Sequence, residues 1–333
     1  MHSPPIRSAG RFAPTPTGSL HIGNAYTALL AHVSAHASQY QSILRIDDLD
    51  LRSFSTAYIQ EQMDDLEWLG IPYDESPRQP ASAAPYLQSL RQDLYQQALQ
   101  ELNQQGLLYP CFCSRKEIAQ AVYAPHAHQE GIVYPGTCRP TQAQPMDLEN
   151  IPVRNNRVAT IRFNVHEMVA RRGHHLVHFQ DLVAGSQSFD LIHAIGDFVL
   201  RRRDHIYAYQ LACAVDDYMQ GCRLVLRGRD LLPSTARQLI LLEALIHDNQ
   251  LLPQYAHIGL LTSAQGERLA KRDQSLQIKS LRQQGVDPAQ VRYHLARLWG
   301  GTSHTMADLI HHFDWHHVPA RDLAYPEIFD LGF

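Results

Sequence analysis

Apolar and polar residues succeed one another along this chain with two periods, and their order predicts an α/β protein. A short apolar run reaches Arg11-Phe12-Ala13. A turn of prolines and glycines follows, Pro14-Thr15-Pro16-Thr17-Gly18-Ser19-Leu20-His21-Ile22-Gly23. From Asn24 the positions Leu29, Leu30 and Val33 share one helix face. A second apolar run, Ser42 to Ile46, ends in the carboxylates Asp47, Asp48 and Asp50. Helical spacing returns in Ile59, Met63 and Leu66, and again in Leu87, Leu90, Leu94 and Ala98. Gly70 and Gly106 stand where these helices should stop. Strands alternating with helices imply a parallel sheet.

The pattern changes at Tyr109. Beyond a polar stretch from 140 to 155, the alternating residues Ile161/Phe163/Val165 and Val177/Phe179 predict half-buried strands of an inserted subdomain. Tyr207 to Ala212 leads to Asp216-Asp217. Leu224 to Asp230 then reads as a strand ending in a glycine turn, followed by an apolar helix from about Thr235 to His247. Gly266 to Asp273 is a basic loop. Asp287-Pro288 caps a helix with Val291, Leu295 and Leu298 on its buried face, and Thr305 with Asp308 marks another helix start. The expected division is 8–106 and 196–258 as two halves of one catalytic domain, 107–195 as the insertion, and 259–333 as a loop and helical segment.

Candidate chemistry sits at the ends of the predicted strands, where ligands collect in open parallel sheets. A helix start near Asn24 suits phosphate, because unpaired N–H groups and the positive end of the dipole face outward. Gly18 and Gly23 let a backbone approach a ligand closely, and His21 adds a donor. The acids after Ile46 could bind an ammonium group or ribose hydroxyls. Arg227, at a strand's carboxyl end, could pair with a carboxylate.

A net charge of -4 excludes bulk attraction to polyanions, so any nucleic acid must be held by local patches such as Arg201-Arg202-Arg203 or Arg171-Arg172. No apolar run is long enough to span a bilayer, the first residues lack signal-peptide character, and five cysteines, an odd number, point to a reducing, cytoplasmic setting rather than a disulfide scaffold. Cys111, Cys113 and Cys138 could close around one Zn2+ ion, with Tyr134, His126 or His128 as the fourth ligand.

The order of these motifs resembles that of the class I aminoacyl-tRNA synthetases. Pro14-x-Pro16-x-Gly18-x-Leu20-His21-Ile22-Gly23-Asn24 is similar to their first signature, and Arg11 stands where the glutamate-specific form carries arginine. Arg268-Leu269-Ala270-Lys271-Arg272 resembles the second, a lysine loop. Arg45-Ile46-Asp47 and Tyr209-(x)6-Asp216-Asp217-(x)9-Arg227-Gly228 also fall where the family has them. Within the family the chain looks like the glutamyl-queuosine tRNA(Asp) synthetase branch. Asp197 to Arg202 followed by Tyr207 to Ala212 is similar to that branch's phrase. The Cys-x-Cys…Tyr-x-x-x-Cys spacing is similar to its zinc site, which raises Tyr134 above the two histidines. The chain also ends soon after the lysine loop, so no anticodon-binding domain is expected. Three positions depart from the branch: Asp47 replaces its usual glutamate, Ala270 the loop's usual serine and Arg268 the loop's first lysine.

The resemblance implies a Rossmann-type catalytic domain with an inserted zinc-bearing subdomain, acting as a monomer. It implies that L-glutamate and ATP with Mg2+ form glutamyl-adenylate, which acylates queuosine in the anticodon of tRNA(Asp). Pro14, Gly18, His21, Gly23, Asn24 and Lys271 would meet ATP, with His21 and Lys271 catalytic. Arg11, Asp47, Tyr209 and Arg227 would hold glutamate, and Cys111, Cys113, Tyr134 and Cys138 the zinc. Rival readings are a glutamyl-tRNA synthetase charging a 3′ end, a nucleotidyltransferase on a small acceptor, and a catalytically weakened RNA-binding paralogue.

Overall fold

The computed structural model describes residues 7–50, 52, 55–121, 133–151, 153–246, 252–263 and 277–324. The first strand, β1 (Ala9–Phe12), leads through the proline–glycine turn into α1 (Ile22–Ala37), and β2 (Gln41–Leu44) returns parallel to β1. The helices α2 (Thr56–Trp68) and α3 (Gln92–Gln104) stop before Gly70 and Gly106, both at positive φ, as their placement predicts. Leu87 and Leu90 precede α3 in a single turn of tighter helix, and Leu90 is exposed, so the apolar periodicity ran one turn too far.

A three-stranded antiparallel sheet follows, built from β3 (Leu108–Cys111), β4 (Thr160–Phe163) and β7 (Val199–Arg201), with α4 (Arg115–Ala121) beyond β3. Val165 does not extend β4. It opens α5 (Val165–Arg172), because the Asn164 side chain accepts from the Glu167 amide and caps a helix there. The next two strands, β5 (Leu176–Asp181) and β6 (Gly185–Asp190), form a hairpin, but the hairpin does not join the insertion's own sheet. Its β5 lies parallel to β9 (Gln254–Ile258) through the single pair Asp181 and Tyr255. One matched pair leaves no periodic trace in sequence.

The central sheet therefore has six strands in the order β2-β1-β8-β9-β5-β6, where β8 spans Cys222–Gly228. The crossover from β2 back past β1 to β8 is long, and it carries the insertion and α6 (Tyr209–Met219). The α7 helix (Leu232–Leu245) starts earlier than its apolar spacing indicates, with Pro233 in its first turn. Beyond it come β10 (Leu261–Thr262), α8 (Ile278–Gln283), α9 (Pro288–Arg297), α10 (Met306–His311) and β11 (Leu323–Ala324). Asp287 and Thr305 cap α9 and α10 through the Ala289 and Asp308 amides. Among the described residues no helix is long and apolar enough to cross a membrane.

Side chains alternate across the central strands. Phe12, Leu44 and Leu226 pack with Leu29, Leu30 and Val33 of α1, while Ile43, Val225 and Tyr255 join a second cluster. Gly10 marks the closest approach of α1 to the sheet: a Cβ there would lie 2.7 Å from Ala35 Cβ. Gly10→Ala should lower stability by about 1–3 kcal/mol through overpacking, read as an earlier midpoint in urea unfolding with an unchanged slope.

Candidate active site and candidate metal centre

The parallel strands β1, β2, β8 and β9 all end at one edge of the sheet, and a single cleft opens there. Its lining includes Arg11, Pro14, Gly18, His21, Gly23, Asn24, Asp47, Tyr209 and Arg227. The structure thus brings together every described residue expected to meet nucleotide or amino acid. Lys271 and its loop lie outside the described residues, as do His126 and His128.

Contacts from three elements hold the turn before α1. Gln62 of α2 donates to the Gly18 carbonyl at 2.8 Å. Asp47 N–H donates to the Pro14 carbonyl at 3.0 Å, and Ile278 N–H to the Leu20 carbonyl at 2.9 Å. Ser19 donates to Glu61, which also takes Lys279 at 2.6 Å.

The helix start differs from expectation. It falls at Ile22, with His21 as its cap. Its first amides are not all free, because Gly23 N–H donates to His21 Nδ1 at 3.1 Å and Asn24 N–H to the His21 carbonyl at 2.8 Å. Asn24 closes the reciprocal cap by accepting from His21 N–H at 3.1 Å. Since Nδ1 accepts, the ring proton of a neutral His21 sits on Nε2 as a donor. Gly23 serves this cap: a Cβ there would come within 3.0 Å of His21 Cε1.

Beneath the cleft runs a chain of buried charges. Arg11 grips Asp217 with two parallel bonds, Nε to Oδ1 and Nη2 to Oδ2, both 3.1 Å. Arg45 donates Nη1 to the same Asp217 Oδ1 at 2.7 Å and Nε to Asp47 Oδ1 at 2.8 Å. All four residues are buried. Burial alone would raise the Asp217 carboxyl, but Arg11 and Arg45 outweigh it and hold that carboxyl well below the ordinary range. At Asp47 the balance tips the other way. Burial pushes it up to about 6 against the pull of Arg45 and Arg11. Asp216 stands 3.9 Å from Arg45 Nε and takes its hydrogen bonds from Arg91 at 2.6 Å, Tyr95 at 2.7 Å and Gln88 at 2.7 Å.

Of the three carboxylates after β2, only Asp47 reaches the cleft. Asp48 instead accepts from the amide and hydroxyl of Ser89, and Asp50 pairs with Arg52 and Arg202. The basic triplet is also largely engaged. Arg201 donates to the Leu148 carbonyl, Arg203 to the carbonyls of Phe112 and Cys113, and Arg202 to Asp50 and Asp204.

Arg227 is the opposite of Arg11. It donates Nη2 to Thr235 at 2.6 Å, Nη1 to Gln238 at 2.8 Å and to Tyr209 at 3.2 Å, and Nε to His257 Nε2 at 3.1 Å. None of these partners brings an anion into contact. A buried cation ringed by neutral acceptors is oriented but not neutralised, so it favours an anionic ligand.

Sequence reasoning did not assign Arg45, Asp217, Thr235, Gln238 or His257 to the site. One signal was available for the first pair: Tyr209, Cys213, Asp217 and Gln220 recur at helical spacing, and Cys213, Asp217 and Gln220 all meet Arg45. His257 is the register partner of Arg227 on the adjacent parallel strand, which only the sheet order reveals.

In the insertion, the ligand atoms of Cys111, Cys113 and Cys138 lie within 4.8 Å of one another. The Tyr134 hydroxyl stands 3.4 Å from Cys111 Sγ and 3.6 Å from Cys113 Sγ, and Cys113 and Cys138 sulfurs are 3.5 Å apart. Zinc–thiolate bonds of about 2.3 Å in a tetrahedron separate sulfurs by about 3.8 Å, so this compact set fits zinc. Arg162 stacks on the Tyr134 ring at 3.8 Å, and Arg203 braces the loop through the carbonyls of Phe112 and Cys113.

The chain matches the family described as "tRNA synthetases class I (E and Q), catalytic domain" over residues 9–320. It is 40% identical over 327 residues to a glutamyl-Q tRNA(Asp) synthetase of Symbiobacterium thermophilum, covering 95% of each chain. A glutamate–tRNA ligase 2 of Nitrosococcus oceani is 38% identical over 288 residues, which are 86% of this chain and 58% of that one. Among solved structures, a glutamate tRNA ligase from Elizabethkingia meningosepticum in complex with its amino acid aligns with a TM-score of 0.73 at 25% identity, over 96% of this chain and 67% of that one. The cleft, its buried charges and the likeness along nearly the whole sequence together make the chain a member of the class I tRNA synthetases for E and Q, in the glutamyl-Q tRNA(Asp) synthetase branch.

Proposed function

We propose that the protein activates L-glutamate with ATP and Mg2+ as glutamyl-adenylate and transfers the glutamyl group to queuosine in the anticodon of tRNA(Asp). One observation carries the amino-acid assignment: a single cleft holds a buried cation with neutral partners, Arg227, beside a buried carboxylate, Asp47, and a capped helix start. The acceptor comes from the relatives of near-equal length.

In this reading Arg227 and Tyr209 face the side-chain carboxylate of glutamate, and Asp47 the ammonium. The α-carboxylate attacks the α-phosphate of ATP and pyrophosphate leaves. The queuosine hydroxyl then attacks the acyl carbon and AMP leaves. No covalent enzyme intermediate is needed, so rate comes from positioning and from donors facing the developing phosphate charge. His21 Nε2–H would supply one such donor at the positive end of α1, and Lys271 would meet the ATP phosphates. Arg11, already bound to Asp217, braces the pocket from below.

The zinc-bearing insertion belongs to the same proposal. Cys111, Cys113, Cys138 and the Tyr134 hydroxyl would hold one Zn2+, which ties β3 to the segment around Tyr134 and supplies no chemistry to the reaction. The catalytic domain would hold the central sheet with its β5–β6 hairpin, and the insertion would hold β3, β4 and β7, so the expected boundary at 195 divides neither sheet correctly. The nearest alternative, charging a tRNA 3′ end, is favoured by the similarity to the Nitrosococcus oceani ligase and is an outcome of the test.

Incubation with radiolabelled glutamate, ATP and tRNA from wild-type or queuosine-deficient cells should label tRNA(Asp) only when queuosine is present, in the anticodon fragment after nuclease digestion. Label on the 3′ end of tRNA(Glu) would establish the alternative. No glutamate-dependent ATP–pyrophosphate exchange would leave an RNA-binding paralogue.

Asp47 generates a pH prediction. Its folded pKa exceeds that of the unfolded chain, so protonating it favours the folded state at low pH, and that advantage is gone above about 6. Ammonium binding needs the carboxylate and runs the opposite way. The KM for glutamate should rise about tenfold per pH unit below pH 6, and a flat profile from pH 5 to 8 would remove Asp47 from that role.

Elemental analysis of the purified protein should find one zinc per chain, and Cys111→Ser should release it. Purified protein without zinc would refute this ligand set.

A further inference from the structure

We propose that Asp181 and His257 form a relay that aims Arg227 at the side-chain carboxylate of the substrate without neutralising it, and so set the preference for a dicarboxylic amino acid over its amide. This rests on the reading of Arg227 given above.

A guanidinium has five N–H groups and no acceptor. Its Nε donates to His257 Nε2 at 3.1 Å, so that ring nitrogen must carry a lone pair. The ring proton then sits on Nδ1, which lies 2.6 Å from Asp181 Oδ2. Asp181 is itself fixed by three backbone amides, those of His257 at 3.0 Å, Val183 at 3.0 Å and Ala184 at 2.8 Å. Its carboxylate therefore selects the tautomer, and the tautomer supplies the acceptor that Arg227 needs. Thr235 completes the arrangement, accepting from Arg227 Nη2 at 2.6 Å with its oxygen 3.0 Å from the same His257 Nε2.

Placement explains why a ring stands between the two charges. A carboxylate in direct contact, like Asp217 on Arg11, would occupy the guanidinium and compete with the substrate. Here the negative charge lies one imidazole away, so Arg227 is oriented but still attracts an anion. The relay crosses three neighbouring strands: Asp181 ends β5, His257 lies in β9, and Arg227 is its register partner in β8. It also gives the β5–β6 hairpin a role in the site, since its parallel contact with β9 is at Asp181 itself.

Asp181→Asn keeps the shape but turns an amide N–H₂ toward Nδ1. The ring must then accept at Nδ1 and carry its proton on Nε2, donor against donor with Arg227. In glutamate-dependent ATP–pyrophosphate exchange, the KM for glutamate should rise about 10- to 100-fold, with the KM for ATP unchanged and discrimination against glutamine reduced. His257→Gln with Asp181 unchanged can turn its amide oxygen to Arg227 and its N–H₂ toward Asp181, so it should keep more of the affinity for glutamate than Asp181→Asn does. A loss as large as that of Asp181→Asn, or an equal loss in both KM values, would overturn the relay. If Arg227→Ala keeps the wild-type KM for glutamate, the assignment of Arg227 itself fails. If Arg227→Ala loses it while Asp181→Asn does not, only the relay fails. A measurement on unaltered protein stands apart from variant folding: nitrogen NMR of histidine-labelled enzyme, with the His257 signal identified by its loss in His257→Gln. It should show Nδ1 protonated and Nε2 bare, and the opposite tautomer would overturn the proposal.

Discussion

Asp217 fixes the electrostatic character of the cleft. Two arginines from different strands converge on this one buried carboxylate, and the second of them also binds Asp47. Burying one charge is costly and burying several is tolerable only when each is paired. The pairing removes Arg11 and Arg45 from competition for an incoming anion. It also holds Asp47 at the cleft wall, where burial raises its carboxyl to about 6. Arg227, with its neutral ring of partners, is the arginine of this buried group, among the described residues, that no carboxylate neutralises. The division of labour between two similar residues is thus set by what lies behind each of them.

The second constraint is mechanical. The turn from Pro14 to Leu20 has few regular hydrogen bonds of its own and is held by α2, by the segment after β2 and by the residue that opens α8. The last of these contacts, Ile278 N–H to the Leu20 carbonyl, ties α8 to the turn across more than 250 residues of sequence.

Local chemistry was legible in the sequence, and distant pairing was not. Caps at Asp287 and Thr305, stops at Gly70 and Gly106, and the strand ends carrying Arg11 and Arg227 follow from short-range patterns that one residue type at one position decides. His21 was visible too, but its role as the cap of α1 was not, because reciprocal capping by His21 and Asn24 depends on ring orientation. Arg11 and Asp217 are 206 residues apart, and nothing in either segment alone shows that they meet. The strand at Val177 and Phe179 was expected within the insertion, yet β5 joins the central sheet, because alternation reports a half-buried strand but not its neighbour. Family resemblance filled part of that gap for Arg11, Asp47, Tyr209 and Arg227, whose motifs carry position. It assigned nothing to Asp181 and His257.

If Arg227, not Arg11, receives the substrate's side-chain carboxylate while Asp47 receives its ammonium, a crystal structure with a non-hydrolysable glutamyl-adenylate analogue should show it. Both oxygens of the side-chain carboxylate should lie within hydrogen-bonding distance of Arg227 and Tyr209, with the ammonium on Asp47 and the bond between Arg11 and Asp217 intact. A side-chain carboxylate seated on Arg11, with Asp217 displaced, would contradict it.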